Sequence, residues 1–365
     1  MIIACLAAEK RIAAGHRRAL KHVIHVNGTR GKSSVSRLIA AGLAEGGHKV
    51  FCKTTGTLPM IIDPEGNETE IKRLGRPNIS EQIRVLWKAA KSGAQILVAE
   101  CMAVDPELQY VCEHKILRSD IGVITNARVD HVAEMGETEI EVCEALCNTI
   151  PEGGIVFTSE KDCFSQIEKR AASLGSKAVL TDEAAAEAGE FLFPDNIALA
   201  LAVCESLGVD KKTALAGMKK VKEDPYAAEG ITLCKGALFV NAMSANDPES
   251  TRRILETFSR GRHFDRTVVI LNCRPDRAYR TGLMADFVIK TAPQEVWIMG
   301  RSGLAIRRRL KKAGIKTLFF KNARSLPLES AGENELFFAA GNIADEGIKL
   351  MEIVRGKEEQ RCTRK

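Results

Sequence analysis

Along this chain, short β-branched apolar runs give way to turns and then to segments with apolar residues three and four apart. The first such unit starts at Val23, Ile24 and Val26, which read as a buried strand. It turns at Asn27-Gly28-Thr29-Arg30-Gly31 and enters a helix through Val35, Leu38, Ile39 and Leu43, closed by Gly46-Gly47. The same reading predicts strands over 49–52, 94–100, 121–126, 155–158 and 178–181. It predicts a turn from Asp63 to Asn67, a helix over 81–90 capped by Ser80, and another opening at Asp105-Pro106-Glu107. Past a charged stretch at 219–229, runs at 231–234 and 238–241 form a hairpin over Lys235-Gly236. Further strands follow at 267–272, 295–299, 316–320 and 335–339, with helices between them. Strand–helix alternation of this kind predicts an α/β fold with mostly parallel sheets. We expect a lead-in helix over 1–22, a first domain over 23–225, a smaller α/β domain over 226–356 and a basic tail over 357–365. The apolar start at Met1, followed by Lys10, Arg11, Arg17 and Arg18, is too short to cross a membrane and has no clear cleavage site. It reads as a helix leading into the first strand, with the end of a shortened membrane anchor as the alternative.

The first strand–turn–helix unit has the chemistry of a phosphate-binding loop. Gly28 and Gly31 let successive backbone N–H groups converge on one anion. The helix opening at Lys32, Ser33 and Ser34 adds free N–H groups and partial positive charge. Lys32 can reach terminal phosphates and Ser33 can ligate Mg²⁺. Its spacing departs from the common Gly-x4-Gly-Lys form, because residue 26 is Val and the first glycine is Gly28. Glu100 ends an apolar strand. A carboxylate is out of place in a core there but suited to the crevice at the carboxyl ends of a parallel sheet, so Glu100 is the candidate Mg²⁺ ligand. His131 follows another strand end, beside Asp130, and is a candidate metal or phosphate contact. Lys72, Arg73 and Arg76 form either an exposed basic loop or a carboxylate or phosphate clamp. Arg274, Arg277 and Arg280 with Asp276 form either an ion-paired loop or a second anion site. Arg307 to Arg309 with Lys311 and Lys312 read as a solvated helix face.

Charge and composition narrow the function. The net charge of +6 is mild, and an anionic substrate or a membrane surface accounts for it as well as nucleic acid does. Three Tyr and two Trp are few for stacking on bases, and no DNA- or RNA-reading motif is present. Eleven scattered cysteines without a Cys-x-x-Cys pair predict free thiols in a reducing compartment.

In order, Gly28-Thr29-Arg30-Gly31-Lys32-Ser33, Thr54-Thr55-Gly56-Thr57, Glu100, and Asn126 with Asp130-His131 resemble the Mur ligase superfamily of ATP-dependent amide ligases. Phe193-Pro194-Asp195-Asn196 resembles the helix that contacts adenine there. Within the superfamily the chain is similar to the ligase subunit of poly-γ-glutamate synthases. That likeness rests on Lys53-Thr-Thr-Gly-Thr57, Gly75-x-Pro-Asn-Ile79 with Glu81-Gln82, Glu100-Cys-Met-Ala-Val104, Val240-Asn241 with Ala245-Asn246-Asp247, Asn272-Cys-Arg with Asp276-Arg277, and Gly341-Asn342-Ile343. The resemblance implies a P-loop three-layer domain plus a Rossmann-like domain. It implies ATP and Mg²⁺ as cofactors, with Lys32, Glu100 and His131 catalytic. Gly28 to Ser34, Asn126, Asn196, Arg274 and Arg277 would hold the nucleotide, and Ser33, Thr55, Glu100 and His131 the metal. The implied reaction joins glutamate through γ-amide bonds by way of an acyl phosphate. The implied partners are glutamate, the poly-γ-glutamate chain and small membrane subunits that export it, with the protein at the inner face of the cell membrane. Because the loop begins at residue 28, the nucleotide-sugar domain of Mur ligases is not expected, nor are peptidoglycan precursors as substrate. Leu146 stands where many members carry a carbamylated lysine, and Leu199 replaces the second Asn of the adenine-contacting pattern. The other readings are a folate- or cyanophycin-type ligase, or a non-catalytic nucleotide-dependent switch.

Overall fold

The computed structural model describes residues 13–56, 58–73, 75, 77–182, 192–222, 224–245, 247–273, 278–299 and 303–362. Several sequence expectations lie outside them: the start of the lead-in segment, Thr57, Arg76, the Ala/Glu stretch at 183–191, Asn246, Arg274 to Arg277, and the end of the tail. The chain divides into two units, Met1–Lys222 and Glu223–Lys365.

The first unit is built on an eight-stranded sheet in the order β4-β3-β2-β5-β1-β6-β7-β8. The strands are β1 His22–Asn27, β2 Val50–Lys53, β3 Met60–Ile62, β4 Glu68–Glu70, β5 Ile96–Glu100, β6 Ile121–Ile124, β7 Ile155–Thr158 and β8 Lys177–Leu180. From β2 to β8 all pairings are parallel, whereas β3 and β4 add antiparallel strands at one edge. That edge hairpin turns on Asp63, whose Oδ1 accepts from the N–H groups of Glu65 and Asn67 at 3.1 and 2.8 Å. The turn was legible in the sequence, but its three-residue flanking strands were too short to show a period.

Two helical layers cover the central strands, because those strands are apolar on both faces. Ile24, Val26, Ile96 and Val98 pack on one side against the helices Lys32–Glu45, Pro194–Ser206 and Lys211–Met218. Val23, Phe51, Leu97 and Ala99 pack on the other side against Glu81–Lys91 and the segment Cys112–Leu117. That segment continues the helix Pro106–Val111 as π-helix. The result is the three-layer α/β domain expected from the motifs.

Ser80 does not cap its helix. Its backbone is already αR (φ −59°) and its side chain makes no capping bond. The chain is turned earlier by Asn78, whose Oδ1 accepts the Ser80 N–H at 2.9 Å. Cys143 and Cys147 are core residues in the cluster that also holds Leu146 and Ile167. All eight free cysteines identified among the described residues are buried.

The second unit carries a six-stranded sheet in the order β13-β12-β11-β14-β10-β9, parallel except for β9. Its strands are β9 Glu229–Thr232, β10 Leu238–Asn241, β11 Arg266–Asn272, β12 Glu295–Met299, β13 Thr317–Phe320 and β14 Glu335–Gly341. The predicted hairpin is present with its first strand two residues earlier. Leu233 leads into the turn Cys234–Gly236, in which Lys235 and Gly236 both take positive φ. The core gathers Phe239, Ile270, Trp297, Phe337 and Leu350. Asn272 closes the carboxyl ends of β11 and β14: its Nδ2 donates to the carbonyls of Asn342 and Ala344 at 2.6 and 2.9 Å. Among the described residues no helix is long and apolar enough to cross a membrane.

Candidate active site

Three adjacent parallel strands, β5, β1 and β6, end at one edge of the first sheet with Glu100, Asn27 and Ile124. The turn after β1 is the glycine loop. Gly28 (φ 132°) and Gly31 (φ 79°) occupy backbone conformations that residues with a Cβ rarely adopt. Space is tight as well, since a Cβ on Gly28 would lie 2.0 Å from Thr125 Oγ1. The helix Lys32–Glu45 starts from Gly31 with no side-chain cap, so its first N–H groups and their partial positive charge are left for an anion.

The loop is fastened from behind by the segment after β6. Asn126 Oδ1 accepts from Thr29 Oγ1 at 2.7 Å and from the Arg30 N–H at 3.0 Å, while its Nδ2 donates to the Arg30 carbonyl at 3.2 Å. Thr125 Oγ1 donates to the same carbonyl at 2.5 Å. Arg30 Nη1 bonds Asp130 Oδ2 at 2.7 Å. Both ends of the Asn126 amide therefore serve the loop itself. Next to Asp130, His131 takes the left-handed conformation (φ 51°), with its Nε2 3.8 Å from Asp130 Oδ2. Asn196 lies against Gly31, where an added Cβ would meet its Oδ1 at 2.8 Å.

In front of the loop, Glu100 joins three elements. Its Oε2 accepts from Ser33 Oγ at 2.8 Å and from the Thr55 N–H at 2.6 Å. No protein donor to its Oε1 is found among the described residues, although the residue is only 2 % exposed. Lys32 Nζ donates to the Gly28 carbonyl at 2.5 Å. Burial lowers the Lys32 pKa, and the Glu100 charge offsets only part of that. A nucleotide's phosphates fit this arrangement of uncapped helix start, glycine turn and enclosed ammonium. A divalent cation fits the hard-oxygen set of the Ser33 hydroxyl, the Thr55 loop and the open Glu100 Oε1. No group of three or more His, Cys, Asp or Glu able to hold an ion occurs among the described residues. A divalent cation held here would take its remaining ligands from phosphate and water.

The geometry gathers Gly28 to Ser34, Thr55, Glu100, Asn126, His131 and Asn196 around this edge, whereas Arg274 and Arg277 are outside the described residues. Sequence reasoning missed two features. One is the Arg30–Asp130 pair. The other is Lys53, whose fully buried ammonium sits 3.1 Å from Glu81 Oε1. Arg73 grips the same carboxylate with Nε and Nη2 at 2.8 and 3.0 Å, so the basic loop is ion-paired at that residue. Burial alone would raise the Glu81 carboxyl; the Arg73 hydrogen bonds and the Lys53 charge reverse that and hold it below the ordinary range. A lysine closing the run Val50-Phe51-Cys52 was the available signal, since a charge on a buried strand requires a partner.

A phosphate loop opening a helix beside a strand-end carboxylate, on a three-layer α/β domain, is the arrangement of a P-loop nucleotide-binding protein. The family description "Mur ligase middle domain" matches residues 26–218, and "Poly-gamma-glutamate synthase CapB C-terminal domain" matches residues 233–357. The "Capsule biosynthesis protein CapB" of Bacillus anthracis is 36 % identical over 352 residues, covering 91 % of this chain and 76 % of that protein. The "PGA synthase CapB" of Bacillus subtilis (strain 168) is 33 % identical over 380 residues, covering 97 % of each. Among solved structures, E. coli FolC in complex with ADP superposes with a TM-score of 0.72 at 14 % identity, covering 97 % of this chain and 94 % of that one. The chain belongs to the Mur ligase family and, within it, to the CapB poly-gamma-glutamate synthases.

Proposed function

We propose that this protein is an ATP-dependent, ADP-forming acid–amino-acid ligase that joins glutamate through γ-amide bonds, producing the poly-γ-glutamate of a capsule. The observation that carries the reading is the Ser33–Glu100–Thr55 constellation directly in front of Lys32. A carboxylate does not condense with an amine at neutral pH, because its leaving group would be oxide. Transfer of the terminal phosphoryl group of ATP to the acceptor carboxylate gives an acyl phosphate, from which phosphate can leave. This chain's residues do the holding. The amides after Gly31 and the Lys32 ammonium bear the charge of the phosphates, and the loop's ties to Asn126 and Thr125 keep those donors fixed. Ser33 and Glu100 would hold Mg²⁺, which supplies charge neutralisation between the phosphates when bound. His131, beside Asp130, is the further group assigned here to contact the phosphates or the metal. An uncharged glutamate amine then attacks the acyl carbon and the phosphate departs. Magnesium as the natural ion, and work alongside membrane subunits at the inner face of the cell membrane, belong to the same proposal and are supported by the family resemblance.

Purified protein, with and without membranes, given ATP, Mg²⁺ and labelled glutamate should release ADP in a glutamate-dependent way and form polymer. Lys32→Ala should lose that release while keeping its fold. Full activity in this variant would refute the assignment.

A further inference from the structure

Beyond the nucleotide and metal groups, the same sheet edge holds a second set of paired charges, of which Lys53 is fully buried. Glu81 opens the helix Glu81–Lys91 and binds two cations at once, Lys53 from the end of β2 and Arg73 from the segment after β4. Gln82 beside it donates from Nε2 to the Glu100 carbonyl at 3.1 Å, fastening this helix start to the end of β5. The segment before Arg73 is pinned too, by the Ile71 N–H on the Pro59 carbonyl at 2.8 Å. Lys53 is sealed from solvent, but the Arg73 side chain keeps 21 % exposure and Lys72 is exposed. Arg73 spends Nε and Nη2 on Glu81, and no protein acceptor for Nη1 is found among the described residues. Arg73 also lies within electrostatic reach of Glu100.

From this juxtaposition we infer that Arg73 is a specificity-determining contact for the anionic acceptor chain, offering Nη1 to one of its carboxylates, and that Glu81 is the positioning residue that aims it. This rests on the ligase reading above and adds the acceptor side to it. A guanidinium suits the task because one edge of its planar fork can be fixed by the protein while the remaining donor meets a carboxylate. The sealed Lys53 charge gives Glu81 a second anchor, so the fork cannot swing away with its partner.

The test compares wild type, Arg73→Gln, Arg73→Lys and Glu81→Gln in glutamate- and polymer-dependent ADP release, with nucleotide affinity measured separately. We expect Arg73→Gln to raise KM for the poly-γ-glutamate acceptor at least tenfold while the nucleotide dissociation constant stays within twofold. Arg73→Lys should recover part of the loss, and Glu81→Gln should weaken acceptor binding even though Arg73 is intact. A KM within twofold of wild type in Arg73→Gln, or a parallel loss of nucleotide affinity, overturns the inference. If wild type itself shows no glutamate-dependent ADP release, the ligase reading falls. Direct binding of poly-γ-glutamate, followed by the fluorescence of Trp87 on the same helix, then decides for Arg73. Binding at least tenfold weaker in Arg73→Gln supports its role; equal binding, or no binding by wild type, rejects it.

Discussion

Replacing Gly28 by Ala tests whether the loop's position, rather than its composition, creates the nucleotide site. Two costs combine. An L-residue forced to φ 132° sits outside its allowed regions, at about 1–2 kcal/mol. The new methyl would also lie 2.0 Å from Thr125 Oγ1 and 2.9 Å from the Thr125 backbone nitrogen. Relieving that overlap requires moving packed atoms, at about 1–3 kcal/mol. The atom struck, Thr125 Oγ1, is itself bonded to the Arg30 carbonyl, so the relief also loosens the loop. A total of about 2–5 kcal/mol divides between fold and site. If the fold takes it, the melting midpoint drops by roughly 2–4 °C for each kcal/mol in a unit of this size. If the loop takes it, nucleotide affinity falls tenfold for each 1.4 kcal/mol or so. Gly47→Ala is the control, because Gly47 also has positive φ (84°) but no atom within 4 Å of its added Cβ. It should show only the backbone cost, with nucleotide affinity unchanged. Calorimetric melting and nucleotide titration of both variants suffice. If Gly28→Ala matches Gly47→Ala in both, the loop is not held as described and the steric reasoning fails.

Glu100→Gln can keep its amide oxygen as acceptor for Ser33 Oγ and the Thr55 N–H, but puts an NH₂ group, which cannot ligate a cation, in place of the open oxygen. It should raise the divalent-ion concentration needed for half-maximal ADP release by at least tenfold, which a Mg²⁺ titration reads directly. His25 is fully buried, with Nδ1 2.8 Å from Glu113 Oε2. Burial works against its charge, but Cys101 and Glu113 outweigh it and raise the pKa to about 9. A histidine raised in this way contributes stability that is fully present below about 6.5, the unfolded value, and is lost as pH rises through about 9. The Cys101 thiol in the same cluster is lowered and its proton moves the other way, so Cys101→Ser isolates the histidine: in that background urea midpoints should fall as pH rises above about 6.5, and Glu113→Gln should flatten that fall.

The central strands and the loop were legible because their signals are local. β-branched runs mark β1, β5 and β6, glycines mark the turn, and Glu100 is conspicuous at the end of an apolar strand. The edge hairpin β3–β4 was not legible, since three-residue strands carry no periodicity and exist through pairing with β2. Ser80 looked like a cap by residue type, yet Asn78 two residues earlier makes the turn. The hub at Glu81 was hidden for a different reason. Its three members are 53, 73 and 81, and only the fold reveals that one carboxylate serves both cations. The ties of the Asn126 amide to the Thr29 hydroxyl and the Arg30 backbone were not legible either, because spacing along the chain does not encode that partnership.

Leu146, buried among Val142, Cys143 and Ile167, bears on the enzyme's supply of small molecules. The family resemblance implies that many related ligases carry a carbamylated lysine at this place, one that would become a ligand only after capturing carbon dioxide. A hydrocarbon side chain captures nothing, so polymer synthesis through this site should proceed at the same rate in degassed and in bicarbonate-rich buffer.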